Sequence, residues 1–140
     1  MSNFLEIEKA LIAGYEAVGT LVATAYPGKE LTDADKPDDL WCHLHNIRAD
    51  TDVFTLGGDG MDNNIGFMQI DVNYPKNKGS GAALAKADEL ATAFSAGTVL
   101  TYNTQNVRVI KTSLGPGRDI GGYYRISLTV NYYAFTQRNP

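Results

Sequence analysis

The chain has 140 residues, of which 44% are hydrophobic and 20% are charged, as is typical of one globular domain, expected here over residues 1–140. Its 12 basic and 16 acidic residues give a net charge of −4, which argues against a dedicated nucleic-acid-binding protein. The single cysteine, Cys42, excludes an internal disulfide and favours a reducing compartment. We find no signal peptide and no apolar run of the roughly 18 residues that a membrane helix needs, so we expect a protein made in a cytoplasm.

The first predicted element is a helix from Phe4 to Leu21, which Asn3 can cap. Its apolar residues recur at spacings of three and four, the pattern of one helix face: Phe4, Ile7, Leu11, Tyr15, Val18 and Val22. Prolines and charged residues predict a loop from Ala23 to Asp39. Alternating apolar and polar residues then predict a strand from Leu40 to Arg48.

The next segment, from Asp50 to Asn64, is polar and rich in glycine. We predict a mobile connection there, with room for a short strand from Val53 to Leu56. A clean alternating strand is predicted from Gly66 to Tyr74. It is followed by a helix from Gly81 to Ser95 with an alanine-rich apolar face that suits close packing on a sheet.

The last third of the chain is predicted to be mainly strands. Two of them run from Thr98 to Tyr102 and from Asn106 to Thr112, and a turn-rich loop follows from Leu114 to Gly122. The final strand, Tyr123 to Phe135, would extend over roughly 40 Å, so it must be bent, bulged or reach beyond the domain body. The element order α-β-β-α-β-β predicts an α+β fold: a mostly antiparallel sheet of four to five strands with two helices on one face.

Two short motifs resemble binding sites. Gly79 to Gly81 lies between a strand and a helix, as in a dinucleotide-binding loop, but Leu84 breaks the motif and a simple helix start is favoured. His43 and His45 share one face of their strand, yet zinc needs at least a third protein ligand. We therefore favour a polar strand face over a metal site.

Catalytic chemistry is not predicted. Strand alternation places Cys42 and His43 on opposite faces, so the histidine cannot activate the thiol. The acidic residues between Asp59 and Asn64 lack the spacing of a calcium-binding loop. We expect no catalytic residue, no metal and no cofactor.

The final strand is unusually aromatic, which indicates either a core strand or a strand at a protein–protein interface, where tyrosine is enriched. Charged and aromatic residues in neighbouring turns extend the candidate surface. The candidate interface residues are Tyr123, Tyr132, Tyr133, Phe135, Trp41, Arg118, Asp119, Lys76 and Lys78.

The layout resembles the tail terminator family of long-tailed bacteriophages, typified by the lambda tail terminator. The resemblance rests on the first helix, on the tryptophan strand Leu40 to Leu44, and on the closing strand Tyr123 to Tyr132. Its most specific part is the segment from Gly66 to Phe94, in which a strand, Tyr-Pro, a Gly-Ser-Gly turn and a helix follow in order. The loop from Gly57 to Asp62 has no place in the family pattern.

The resemblance implies a structural virion protein, assembled in the host cytoplasm, that forms a ring, commonly a hexamer. Such a ring caps the head-proximal end of the tail tube, ends tube polymerisation and provides the head–tail joining interface. Its implied partners are other copies of itself, the major tail tube protein and a head-completion or neck protein. Phage DNA would pass through without specific binding. The alternatives are another head–tail joining protein, or a small metal- or ligand-binding domain that uses His43 and His45.

Overall fold

The computed structural model describes residues 4–18, 22–29, 31 and 39–137, which form two helices and seven strands. In chain order these are α1 (Phe4–Glu16), β1 (Ala23–Ala25), β2 (Trp41–Val53), β3 (Met61–Pro75), α2 (Gly81–Ala93), β4 (Val99–Tyr102), β5 (Gln105–Leu114), β6 (Arg118–Ile120) and β7 (Tyr123–Gln137). The predicted end of the first helix at Leu21 lies outside the described residues, and α1 itself ends at Glu16.

All the strands belong to one sheet in the order β1-β2-β3-β7-β5-β4, and β6 also pairs with β7. Every pairing is antiparallel except that of β1 with β2. The predicted α+β class with two helices is confirmed. The predicted strand number and order are wrong in detail, because β1 and β6 have only three residues each, too few for alternation to reveal them.

Both helices pack on one face of the sheet, α1 against β4 and β5 and α2 against β3 and β7. The strand side chains that point towards the helices are apolar and almost fully buried, as in Leu44, Ile70 and Leu128. They meet the apolar faces of the helices in a single hydrophobic cluster. We call the opposite side of the sheet, formed by the residues that alternate with these, the outer face.

A line of irregularities crosses the sheet near the middle of the long strands. The register of β2 shifts at Ala49, between Arg48 and Asp50, and that of β5 shifts at Ile110. The two shifts lie at the same level, since they flank the paired residues Gly66 and Tyr132 of β3 and β7. Bulges of this kind bend a sheet and increase its twist.

Gly66 makes a close side-chain packing possible along this line. A β-carbon at position 66 would lie 2.7 Å from the Tyr132 hydroxyl and 2.8 Å from the Ile47 carbonyl oxygen. The absence of that carbon allows the Tyr132 hydroxyl to donate a hydrogen bond of 2.7 Å to Asn46 Oδ1. Tyr132 therefore links β7 to β2 across β3, through space that only glycine leaves open.

Beyond the bulges, three strands continue as an extension that we call the arm, made of residues 50–65 and 133–137. The predicted mobile connection from Asp50 to Asn64 is wrong, because its two halves are the ends of β2 and β3, joined by a turn over residues 54–60. Polar side chains hold these strands together: Thr51 Oγ1 donates to Asn64 Oδ1 at 2.8 Å, and Asn64 Nδ2 donates to Thr136 Oγ1 at 2.8 Å. The predicted loop from Leu114 to Gly122 likewise contains β6.

Candidate assembly surfaces

The outer face carries a buried carboxylate that joins three strands. Asp71 of β3 is only 3% exposed. Its Oδ1 accepts hydrogen bonds from Ser127 Oγ at 2.6 Å and from Gln69 Nε2 at 2.9 Å, and its Oδ2 lies 3.1 Å from His45 Nε2. Nearby, Arg125 Nε donates to Asn73 Oδ1 at 2.7 Å. These contacts connect β2, β3 and β7 where the sheet has no helix of the described chain against it.

Burial disfavours the charged form of Asp71, but the hydrogen bonds from Ser127 and Gln69 and the charges of Arg125 and His45 hold the pKa of its carboxyl below the usual value. The group is therefore an ionised acceptor rather than an acid. Ser127 donates directly to Asp71, whereas in a catalytic serine triad a histidine lies between the hydroxyl and the carboxylate. The arrangement fits cohesion of the sheet better than nucleophilic catalysis.

His43 and His45 lie side by side on the outer face, with ring centroids 4.1 Å apart. Within the described part of the chain, no group of three or more histidine, cysteine or acidic side chains is placed to hold a metal ion. Cys42 points to the opposite face, where it is fully buried. Burial raises the pKa of its thiol to about 11, so it is a poor nucleophile at neutral pH.

At the level of the arm, the outer face becomes apolar and aromatic. The Phe135 ring lies 4.4 Å from the Phe54 ring and 5.5 Å from the Tyr133 ring, measured between centroids. Tyr133 and Phe135 are two of the predicted interface residues, and both are half-buried here. The prediction of an aromatic surface on the last strand thus has a defined location, the outer face of the arm.

A cleft of about 430 Å³ separates the arm from the β4–β5 hairpin. It opens where β5 and β7 diverge, beyond their last paired residues, Arg108 and Tyr133. The Gln105 side chain partly bridges the gap by donating to the Phe135 carbonyl oxygen at 3.1 Å. The residues that line the cleft are Met61, Val99, Thr104, Gln105, Asn106, Arg108, Tyr133, Ala134 and Phe135.

The other predicted interface residues lie elsewhere. Tyr132 and Trp41 are buried within the subunit, at 1% and 3% exposure, so neither offers a surface to a partner. Tyr132 points to the helix-covered face, as its alternation with Leu128 and Val130 requires. Tyr123 packs edge-on against Trp41, with centroids 5.4 Å apart.

The charged candidates gather at the end of the sheet opposite the arm. Arg118 and Asp119 belong to β6, which pairs with the first residues of β7. Lys76 begins the turn that leaves β3, and its backbone N–H donates to the Gly122 carbonyl oxygen at 3.0 Å. Lys78 lies in the same turn. The predicted residues therefore form two separate groups, one at each end of β7.

Several exposed residues of the arm and cleft were missed by the sequence analysis. Phe54 and Leu56 are 60% and 90% exposed, and Val99 and Arg108 line the cleft. The sequence did carry a signal, because Val-Phe-Thr-Leu is an apolar run inside an otherwise polar, glycine-rich segment. An apolar run in a polar segment that leaves Phe54 and Leu56 exposed is typical of a protein–protein contact surface.

No helix among the described residues is long and apolar enough to cross a membrane. A small α+β module that lacks catalytic geometry in its described part, and that presents an aromatic outer face and a projecting arm, fits the class of structural assembly proteins. The chain belongs to the phage tail terminator family, since the family model described as phage tail terminator protein matches residues 6–132. This membership establishes a structural role in a phage tail.

The fold also occurs in a solved structure. That structure is 20% identical to this chain, covers 91% of it, aligns over 94% of its own length and superposes with a TM-score of 0.68. At this identity the likeness shows a common fold. No curated protein matches the chain.

Proposed function

We propose that the protein forms a ring, a hexamer, at the head-proximal end of the phage tail tube. The ring ends polymerisation of the tube protein and offers its other side to a head-completion or neck protein. The proposal rests on membership of the tail terminator family over residues 6–132. The geometry of the subunit adds physical support.

The arm is the single structural observation that favours ring formation most strongly. Every residue from Ile47 to Asp59 is exposed, although it lies on or between long strands. Ring closure needs heterologous contacts, in which one patch of a subunit meets a different patch of the next. The projecting arm and the cleft beside the β4–β5 hairpin are two such different patches.

An open strand edge is a second feature that suits assembly. β1 pairs with β2 only from Trp41 to His43. Within the described residues, β2 has no strand on its outer side from Leu44 to Val53. An exposed edge of this length is a template for a strand or loop of another chain.

Passage of DNA requires a lumen that does not retain phosphate. The net charge of −4 is compatible with that role, since a ring of such subunits attracts no phosphate through its overall charge. We propose no specific DNA contact and no catalytic function.

The test is assembly of purified tail tube protein with and without this chain, followed by electron microscopy. We expect a ring at one end of each tube and shorter tubes as the chain is added in larger amounts. Tubes grown without the chain are the control. Tubes of unchanged length without a terminal ring would refute the proposal.

A further inference from the structure

We propose that the tip of the arm of one copy, residues Val53–Gly60, inserts into the cleft between the arm and the β4–β5 hairpin of the next copy. This inference rests on the proposed ring, because it names the two surfaces through which neighbouring subunits meet. It commits to a second copy of this chain as the occupant of the cleft.

The tip presents apolar side chains on an ordered turn. Val53, Phe54 and Leu56 are 61%, 60% and 90% exposed. The turn is defined by hydrogen bonds from the N–H groups of Phe54 and Thr55 to the Met61 carbonyl oxygen, each 3.0 Å long. A preformed turn loses little conformational entropy on binding, so its apolar side chains are well suited to a docking contact.

The cleft offers a complementary lining. Its apolar surface comes from Met61, Val99 and Phe135, and its volume of about 430 Å³ lies within the range of pockets that hold sizeable groups. Val99 is 44% exposed at the wall of the cleft. Burying Val99 and Leu56 against each other would remove both from water.

Charge indicates which molecule fills the cleft. Residues 50–64 contain four aspartates and no basic residue, a formal charge of −4. On the outer face of β5, beside the cleft, lie Arg108 and Lys111, which pair in register with Tyr133 and Asn131.

In the described part of the chain, neither these two basic side chains nor those of Asp52 and Asp59 make a hydrogen bond or an ion pair. The acidic arm with its apolar tip therefore complements a cleft that is lined by apolar side chains and Arg108 on the same molecule.

The tip cannot fill the cleft of its own subunit. Phe54 already stacks on its own Phe135, and the arm that carries the tip forms one wall of the cleft. Folding the tip back would break the backbone hydrogen bonds to Met61. Tip and cleft are different patches, so their contact is heterologous and propagates from subunit to subunit, as a ring requires.

Site-directed cross-linking tests the contact directly. A Leu56→Cys chain is mixed with an Asn106→Cys chain, and the mixture is oxidised alone and again with tail tubes. Both positions are exposed, whereas the native Cys42 is buried. We expect disulfide-linked dimers that contain one chain of each kind. The matched control replaces Asn106→Cys by Leu114→Cys, an exposed site at the far end of β5.

Charge reversal supplies a second, independent measurement. Arg108→Asp and Asp59→Arg should each weaken self-association roughly tenfold, and the double variant should recover most of the loss. Circular dichroism checks that each variant is folded. Sedimentation of the full chain, alone and with tail tubes, measures association.

The inference is overturned if the Leu56–Asn106 pair links no better than the control pair, or if Asn106→Cys links to tube protein instead. Rings at tube ends without the cross-link would leave the proposed function standing and remove only this contact. If the cross-link forms but the protein never caps tubes, the contact between tip and cleft stands and the proposed function is refuted.

Discussion

The same three strands, β2, β3 and β7, run through two regions that are built in opposite ways. In the body, the side chains that face the helices are apolar, as in Ile70, and the outer face carries the polar contacts around Asp71. In the arm the helix side is polar, with Asn64 bonded to Thr51 and Thr136, and the outer face is aromatic. The reversal occurs where the bulges cross the sheet.

The comparison shows what each region contributes. The body buries its apolar face against its own helices, so its stability is independent of partners. The arm is held by strand pairing and by amide–hydroxyl hydrogen bonds, each of which contributes only about 1 kcal/mol. Its apolar side chains Phe54 and Leu56 remain exposed. Four substitutions, taken from the largest expected effect to the smallest, test this division.

Ile70→Ala removes a fully buried side chain from the body. We expect a loss of about 2–5 kcal/mol in the free energy of unfolding, because a cavity remains under α2. Urea denaturation of the purified chain measures the loss. A change below about 1 kcal/mol would show that the helix-covered cluster does not dominate stability.

Gly66→Ala probes the boundary between the two regions. The added methyl group would clash with the Tyr132 hydroxyl and with the Ile47 carbonyl oxygen. The carbonyl oxygen belongs to the backbone and therefore cannot easily move away. We expect a loss of about 1–3 kcal/mol. The matched control is Gly81→Ala, where nothing lies within 4 Å of the new carbon. Equal thermal stability of the two variants would contradict the close packing at the boundary.

Asp71→Asn probes the polar outer face of the body. Because the pKa of Asp71 is lowered in the folded protein, its ionised form stabilises the fold above the unfolded value of about 3.9. That contribution is lost as the pH falls through the lower, folded value. We expect a loss of about 1–3 kcal/mol at pH 7 in the variant, and a weaker fall in stability on acidification. Denaturation curves of both proteins at pH 7 and at acid pH measure this, and parallel pH profiles would count against it.

Phe135→Ala should affect folding least and assembly most. The ring is half-buried and stacks on Phe54 at the arm, away from the helix-covered core. We expect a thermal stability loss of about 1 kcal/mol from the lost aromatic pair, together with loss of ring formation on tail tubes. Tyr133→Ala should behave in the same way. A large loss of thermal stability with intact assembly would contradict the role of this surface.

Sequence reasoning found both helices and the two long central strands, since their apolar residues repeat strongly. It also predicted that the last strand would be bent, bulged or reach beyond the body. β7 does reach beyond the body into the arm, whereas the bulge lies in β5 at Ile110. It missed β1, whose parallel pairing with Trp41–His43 leaves no local pattern. It predicted a loop where the arm lies. The arm strands carry polar side chains on the side that is apolar in the body, and the turn that joins them is rich in glycine, so the segment has the composition of a loop.

The predicted interface residues do not lie on one surface. Tyr132 and Tyr133 are equivalent in the sequence, yet one is buried in the core and the other faces outward. Tyr132 continues the alternation of Leu128 and Val130, which places it on the core face. The interface prediction followed aromatic density instead of this alternation and so included both tyrosines. Arg108 and Val99 had no local signal, because the cleft exists only where β5 and β7 diverge.

The sequence by itself determined which segments form helices and long strands, the absence of a disulfide within the chain and the family resemblance, because these depend on local periodicity, composition and order along the chain. Only the tertiary structure decided that β7 lies between β3 and β5, that bulges at Ala49 and Ile110 share one line, and that apolar residues beyond it face outward. These features depend on pairing between residues far apart in sequence, whereas a local pattern fixes only which side chains share a face of the strand.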